Sequence, residues 1–400
     1  MIGSARGSAS QRLGADLWWL TLALTFSYLA VASPLPVIPV FVTGTLGLSG
    51  GAAGLAAGLP FVTTIATRLY AGRFADRRGG RTGMVRGLLV YVVASLVCLA
   101  ASLPVLAHGA AYGVLLAGRL LLGLGESLTL VGMLGWGINV AGTARAGRFI
   151  ALMGMGLYGA FLFGAPLGLG LFARFGFTGV MLAAVLLPFA GLVMVRWLPA
   201  TAPPAGERGG SSRAELWRML RGIGRPGSVV GLQGVGIAAI GAFAALDFMR
   251  HGWPDAWLGL TSLAIGFVLM RILGGRLPDR LGGVVVAGSS LAIEAAGQLV
   301  LWLAHGPLTA ILGALLSGIG CSLVYPAMAI VVVRRVAPEF RATAMGGFSA
   351  FQDLAYATTG PLAGLLIDRF GAAVPFLAGA MAAVAGLLVV LSMGRDATLR

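Results

Sequence analysis

Long apolar runs alternate with short polar segments from one end of the chain to the other. The runs lie near residues 17–42, 50–71, 84–106, 109–138, 147–172 and 176–198, and then near 226–250, 255–274, 283–304, 307–333, 342–367 and 372–393. Most are close to the roughly 20 residues that an α-helix needs to cross a bilayer. The pattern predicts an all-α membrane protein with about twelve transmembrane helices.

One polar stretch is longer than the others and divides the runs into two groups of six. It covers residues 199–225 and contains Pro203, Pro204, Gly209, Gly210 and several charged side chains. This composition is typical of a linker. We therefore predict an N-terminal six-helix bundle (1–198), a cytoplasmic linker (199–225) and a C-terminal six-helix bundle (226–400).

Composition and charge support a membrane location. Hydrophobic residues make up 58% of the chain and charged residues only 10%, whereas soluble domains carry about 25% charged residues. The net charge is +15 and all 28 basic residues are arginine. Because the arginines lie mainly at the ends of runs, on the side of both termini and the linker, we expect them to set orientation. The prediction is a multi-pass bacterial inner-membrane protein with both termini cytoplasmic and no nucleic-acid partner.

An internal repeat relates the two groups of runs. Residues 68–80 recur as residues 271–283, with seven of the thirteen positions identical. Both copies join the second and third helices of their group. A repeat with the same direction in both halves is typical of transporters built from two equivalent bundles. It predicts two pseudo-symmetric halves.

The segment from Gly72 to Arg81 resembles the signature of the major facilitator superfamily in the loop between the second and third helices. The resemblance implies that Asp76 contacts a helix N-terminus in the opposite half and helps to lock an outward-open state, braced by neighbouring arginines. Positive-inside topology alone would explain the arginines but not the spacing of glycine and aspartate. The candidate residues of this motif are Gly72, Arg73, Asp76, Arg77, Gly79 and Arg81, with Gly275, Asp279 and Arg280 in the second copy.

Two charged residues lie inside the fourth run. The segment Gly118–Glu126 resembles the superfamily's fourth helix, which carries an arginine followed by small residues. Glu126 follows Arg119 by two helical turns, so both side chains face the same way. Charge inside a span is costly unless it is paired or hydrated. We interpret the pair as a coupling or substrate-binding site; the alternative is an ion pair that only fixes helix packing.

The fifth and eleventh runs contain glycine and proline at close spacing. They resemble the antiporter signature of the drug-efflux branches, although Ala165 interrupts the usual glycine–proline pair. The residues concerned are Gly164, Pro166 and Gly168 in the fifth run and Gly360, Pro361 and Gly364 in the eleventh.

Other polar side chains fall inside runs. Glu294 and Asp353 are further candidates for coupling. The superfamily resemblance implies that the first, fourth, seventh and tenth helices line the cavity, which would place Tyr28, Asp247 and Tyr325 near the solute. Packing, or a position at the membrane interface, is the alternative for each tyrosine, and Asp247 could be interfacial. The segments Ser27–Val31 and Ile293–Gln298 resemble the bacterial YhhS/YfcJ branch.

These observations favour a secondary active transporter that works by alternating access. Its partners would be a small molecule, protons and the lipid bilayer. We expect proton-coupled efflux of a small organic compound, and the alternative is uptake or facilitated diffusion of a nutrient such as a sugar or organic acid. A membrane sensor or enzyme on the same scaffold is a remote alternative.

We expect no enzymatic activity, metal or cofactor, and the superfamily resemblance implies a monomer. The chain also lacks the phosphate-binding motif of P-loop proteins, which argues against direct ATP hydrolysis.

Overall fold

The computed structural model describes residues 2–142, 146–198, 213–336 and 341–394. Within these ranges the regular secondary structure is helical throughout. The helices are α1 (Ile2–Ala32), α2 (Val37–Val40), a π-helical turn (Phe41–Thr45), α3 (Gly50–Arg78), α4 (Gly80–Ala100), α5 (His108–Ala141), α6 (Ala146–Arg196), α7 (Arg213–Arg250), α8 (Leu258–Gly274), α9 (Leu277–Leu281), α10 (Gly283–Trp302), α11 (Pro307–Ser322), α12 (Val324–Arg335), α13 (Arg341–Phe370) and α14 (Val374–Gly394).

Twelve segments of the described chain correspond to the predicted spans. Nine continuous helical stretches of the described chain are long and apolar enough to cross a membrane. One of these, Leu152–Arg196, is two helices, because Gly176 bends α6 with a positive φ of 64°. The shorter apolar helix α8 and the more polar α13 complete the set. The predicted all-α membrane architecture is confirmed.

The first span is broken. Its segment Asp16–Thr45 contains the end of α1, the short α2 and the π-helical turn. Pro34, Pro36 and Pro39 lie in or beside the break, and proline cannot donate the backbone hydrogen bond that continues a helix. The sequence therefore explains where the span bends.

The described chain forms two compact units. The first contains the chain up to Pro34 together with residues 62–198, and the second contains residues 35–61 together with the chain from Arg213 onward. The units thus differ from the predicted bundles 1–198 and 226–400 at residues 35–61. Of the predicted linker, residues 213–225 begin helix α7, and residues 199–212 lie outside the described residues.

Each unit has its own apolar core. In the first, α4 packs on α5 and α1 packs on α6, and the core includes the fully buried Trp136 and Phe149. In the second, α7, α10 and α14 pack on one another, with Phe348 and Leu291 fully buried. The two cysteines, Cys98 and Cys321, are buried and unlinked.

The sequence repeat corresponds to one structural device used twice. Gly79 precedes α4 with φ 87° and ψ 145°, and its counterpart Gly282 precedes α10 with φ 85° and ψ 148°. This backbone conformation favours glycine. The next residues, Gly80 and Gly283, bring α4 and α10 against the backbones of α5 and α12, where a Cβ atom would overlap. The repeated glycine pair is therefore required by a turn followed by close helix packing.

The two copies differ in the chain before that glycine pair. In the first copy α3 continues to Arg78, whereas in the second α8 ends at Gly274 and the separate helix α9 begins at Leu277. The second copy has Pro278 where the first has Ala75. Proline cannot continue a helix from the preceding turn, which accounts for the break.

Most charged residues of the repeated motif are exposed, whereas Arg81 is hydrogen-bonded to another helix. Arg73, Asp76 and Arg77 are exposed, as are their second-copy counterparts Arg276, Asp279 and Arg280 and the neighbouring Gly275, which is the counterpart of Gly72. Arg81 is partly buried, and its Nη2 donates to the carbonyl oxygen of Val195 at 3.1 Å, near the C-terminal end of α6. A cation at a helix C-terminus is favourable. The lock expected of Asp76 stays a prediction.

The beginning of α3 packs on α13 in the second unit. Gly54 and Gly360 lie so close that a Cβ atom on either would overlap the backbone of the other. Gly50 and Gly364 approach each other equally closely one turn away. Asp368 then caps α3: Oδ1 accepts from the N–H of Gly50 at 2.7 Å and Oδ2 from that of Gly51 at 3.0 Å. These contacts explain why residues 35–61 belong to the second unit.

Substitution of Gly80 by alanine tests the glycine pair. A Cβ there would lie 2.5 Å from the carbonyl oxygen of Gly132 and 2.6 Å from the backbone nitrogen of Trp136. We expect Gly80→Ala to lower the free energy of unfolding by about 1–3 kcal/mol, because backbone atoms cannot move aside. The loss of stability is measured by thermal unfolding in detergent. The control is Gly72→Ala, where nothing lies within 4 Å, and equal melting temperatures for the two variants would contradict the interpretation.

The Asp368 cap gives a second prediction. Asp368→Ala removes both acceptors from the N-terminus of α3 and should cost about 1 kcal/mol, the usual worth of a helix cap. Asp368→Asn keeps one acceptor oxygen and should fall between Ala and wild type. Melting temperatures that are the same for all three proteins would show that the cap contributes nothing.

Candidate functional site

Two oppositely charged side chains of α5 lie in the interior of the first unit. Arg119 and Glu126 are each only 3% exposed. They are buried because glycines of the same helix bring α4 close: Gly118 lies against Cys98, and Gly125 lies against the ring of Tyr91. The small residues of the segment Gly118–Glu126 thus pack the helices while its charged residues stay inside.

Tyr28 of α1 binds directly to this pair. Its hydroxyl donates to Oε1 of Glu126 at 2.8 Å, in a buried contact between residues 98 positions apart. Tyr28 is 7% exposed. Tyr28 and Glu126, which were predicted from separate features of the sequence, lie together in the structure.

The charges of the cluster compensate one another. The Arg119 guanidinium interacts electrostatically with the Cys98 thiol, with Glu126 and with Tyr28. An uncompensated buried charge would cost several kcal/mol, whereas a hydrogen-bonded pair of opposite charges offsets much of that cost. We call Tyr28, Arg119 and Glu126 the charged cluster.

Aromatic rings surround the charged cluster. Tyr28 meets Phe161 of α6 edge to face, with ring centroids 5.7 Å apart, and Phe161 meets Tyr158 in the same way at 5.7 Å. Tyr91 of α4 is fully buried and interacts electrostatically with Glu126. Sequence reasoning missed Tyr91, Tyr158 and Phe161. A tyrosine in the middle of an apolar span was the available signal for Tyr91.

Three acidic candidates belong to the second unit. Glu294 of α10 is 1% exposed and Asp353 of α13 is 9% exposed. Asp247 near the end of α7 is also 1% exposed, and its Oδ1 lies 3.4 Å from Nδ1 of His251. Its place near the solute stays a prediction. The His251 ring in turn stacks on Trp253 at 4.5 Å.

Tyr325 occupies a contact of a different kind. Its hydroxyl lies 2.6 Å from Oγ of Ser349, and its ring packs 5.0 Å from that of Phe348. The contact joins α12 to α13, and the place of Tyr325 near the solute stays a prediction.

The glycine–proline segments lie at helix crossings. Gly164 and Gly168 of α6 face Ala32 and Ser33 just where α1 ends, and Cβ atoms there would overlap the opposing chain. Gly360 and Gly364 of α13 face α3 in the same manner. Pro166 and Pro361 lie inside their helices. Close packing therefore explains the glycines of both segments.

Over the described ranges no three His, Cys, Asp or Glu side chains come together in a way that could hold a metal ion.

Comparison with known proteins decides the family. The model of the Major Facilitator Superfamily matches residues 20–254 and 227–399. The chain belongs to the major facilitator superfamily. It is 40% identical over 377 residues to an uncharacterized MFS-type transporter of Salmonella typhimurium, covering 94% of this chain and 95% of the relative.

Solved structures of other transporters share the fold. A bacterial homologue of the human lysosomal transporter Spinster, inward-facing and unoccupied, matches with a TM-score of 0.70 at 17% identity over 95% of each chain. A mutant of the nucleoside transporter NupG matches with a TM-score of 0.73 at 15% identity, over 94% of this chain and 99% of NupG. The protein is accordingly a membrane transporter of this superfamily.

A double-mutant cycle tests the charged cluster. Tyr28→Phe removes the donor to Glu126 and should lower the free energy of unfolding by about 1.5–3 kcal/mol, as expected for a hydrogen bond to a charged group. In the Glu126→Gln background the same change should cost less, by at least about 0.5 kcal/mol. The free energies are measured by unfolding in detergent.

The matched control for this cycle is Tyr325→Phe, which removes a hydroxyl bonded to Ser349 instead. Its effect should be the same with and without Glu126→Gln. Additive effects of Tyr28→Phe and Glu126→Gln would contradict the bond between them.

Proposed function

We propose that this transporter exports a small organic compound in exchange for protons, by alternating access. One observation carries the proposal: a carboxyl group, a guanidinium and a phenol are held together in the interior of the first unit. Ionisable groups inside a membrane span commonly mark a substrate or proton pathway. The charged cluster is the first site to which we assign solute and proton.

The chemistry of the cluster links the two ligands. Glu126 can take up a proton, whereas Arg119 keeps its charge. When Glu126 is ionised, it compensates Arg119. When Glu126 is protonated, Arg119 needs another partner, which a polar or anionic group of the solute can supply. Proton binding and solute binding therefore influence each other, as coupled transport requires.

The aromatic rings suit an organic solute. Tyr28, Phe161 and Tyr158 offer ring faces and edges beside the charges. Ligand sites in proteins combine such apolar surface with a few polar groups that fix orientation.

The finer assignments belong to the same proposal. The glycine–proline segments resemble those of antiporters in the drug-efflux branches, and other segments resemble the YhhS/YfcJ branch, which supports export by antiport. The arginine distribution supports cytoplasmic termini, and the bacterial relatives support an inner-membrane location. We propose a monomer, as is usual for the superfamily.

Arg119 also fits a second function. A buried guanidinium binds carboxylates well because its N–H groups match both oxygens, so uptake of an organic acid is the alternative. The two directions are separated by the solute content of cells: deletion of the gene should raise it for an exporter and lower it for an importer.

The test is transport by purified protein in liposomes with an imposed pH gradient, screened against a compound panel while internal pH is recorded. Neutralising the coupling carboxylate should abolish gradient-driven accumulation and leave solute exchange partly intact, because exchange needs no net proton movement. The variants are Glu126→Gln, Glu294→Gln and Asp353→Asn.

The control for charge removal alone is Asp255→Asn. Asp255 is an exposed acidic residue, and the amide oxygen of asparagine can still accept from Nε1 of Trp257. Accumulation against the gradient in all three carboxyl variants would refute proton coupling through these groups.

A further inference from the structure

A stripe of polar side chains on α10 is turned toward the interior of the second unit. Ser290, Glu294 and Gln298 follow one another at intervals of four residues, which places them on one face of the helix. They are 4%, 1% and 0% exposed. The other side of α10 exposes large apolar residues such as Val285 and Leu299. The stripe is therefore the buried polar face of a helix whose opposite face is apolar and exposed, as a lipid-facing surface would be.

Glycines of three other helices surround the stripe. A Cβ at Gly236 of α7 would lie 2.5 Å from Nε2 of Gln298 and 2.7 Å from Oε1 of Glu294. One at Gly379 of α14 would lie 2.8 Å from Oε1 of Gln298, and one at Gly320 of α11 would lie 2.8 Å from Cβ of Glu294. The carboxyl group of Glu294 and the carboxamide of Gln298 thus lie together in a compartment. Any side chain larger than that of glycine at Gly236, Gly379 or Gly320 would fill it.

The compartment holds polar atoms without protein partners. Oε2 of Glu294 and both amide atoms of Gln298 are fully buried and make no hydrogen bond. Gln233 of α7, one turn before Gly236, likewise has a buried Oε1 with no hydrogen bond. Buried polar atoms normally have partners, so these atoms point to a ligand in the compartment.

No described cation compensates Glu294. The helices packed on α10 carry few titratable groups. From α11 the Cys321 thiol interacts with Glu294, and α14 has no titratable side chain between Val374 and Met393. The other titratable groups of packed elements whose side chains the structure describes are Tyr325, Arg334 and Arg335 on α12, Asp279 and Arg280 on α9, and Arg225, Asp247 and Arg250 on α7. None of these forms an ion pair with Glu294 in the described structure.

Glu294 differs in this respect from Glu126. Glu126 has Arg119 and Tyr28, whereas an ionised Glu294 would be an uncompensated charge that costs several kcal/mol. A protonated Glu294 is neutral and becomes a hydrogen-bond donor, for which Oε1 of Gln298 is an available acceptor. One bound proton therefore removes the charge and satisfies two orphaned groups.

We propose that Glu294 and Gln298 form a proton-binding site inside the second unit, separate from the charged cluster. It deepens the proposed function by naming a second place for a proton besides Glu126, and its part in transport rests on that proposal.

The site adjoins a break in a span. Gly320 lies against Glu294, and α11 ends two residues later at Ser322. The break is held by α8: Nη2 of Arg271 donates to the carbonyl oxygen of Ser322 at 2.7 Å, and Oγ of Ser322 donates to that of Phe267 at 2.9 Å. Broken helices are common at the ion sites of transporters. Loss of the proton would place a new charge beside this break.

Infrared spectroscopy of the purified protein tests the site without any solute. Spectra are recorded in H₂O and D₂O across a pH series, because deuteration shifts the carbonyl stretch of a protonated carboxyl group. We expect such a band in wild type, its loss in Glu294→Gln and its retention in Glu126→Gln. Gln298→Leu, which removes the acceptor, should shift the band and keep it.

The outcomes separate this site from the proposed function. Identical spectra for wild type and Glu294→Gln, or a band left unshifted by Gln298→Leu, would overturn the proton site and leave the charged cluster untouched. Removal of the band by sodium chloride but not by choline chloride would assign the compartment to sodium instead. A failed liposome assay leaves the spectra standing, because they depend on neither solute nor direction.

Discussion

A charge inside a bilayer has to be compensated by the protein around it, and the interior of this transporter is arranged accordingly. Arg119 is acceptable within α5 because Glu126 lies two turns away, and Glu126 is acceptable because Tyr28 donates to it. Each member of the cluster depends on the others. The same dependence makes the cluster suitable for coupling, since a proton or a solute that engages one member changes what the others need.

Close helix packing makes these interactions possible. In a bilayer, helices gain little from hiding apolar surface, so they associate through small residues that let backbones approach. Gly118 and Gly125 bring α4 against the helix that carries both charges, and Gly164 brings α6 against the end of α1. These glycines, among the 64 of the chain, are thus a structural requirement of the polar interior. Larger side chains would hold the phenol and the carboxylate apart.

The two units share a framework but not a chemistry. Gly79 and Gly282 make the same turn, followed in each unit by the same close approach to a neighbouring helix. On that framework the first unit carries a balanced pair of charges, and the second carries a buried carboxyl group without a cation. An internal repeat preserves what the backbone needs, because a positive φ tolerates little besides glycine. It leaves the side chains facing the interior free to diverge.

The sequence by itself determined the twelve spans, the repeat that relates the two units and the family, because span length and motif spacing are local properties. It also singled out Arg119, Glu126 and Glu294, since charge stands out in an apolar run. Only the tertiary structure decided that Tyr28 meets Glu126, that Tyr91 lies beside them, that Asp247 is buried against His251, and that residues 35–61 belong with the second unit. Those outcomes depend on which helix faces approach each other. Hydropathy cannot give that information, because nearly every face of a membrane helix is apolar.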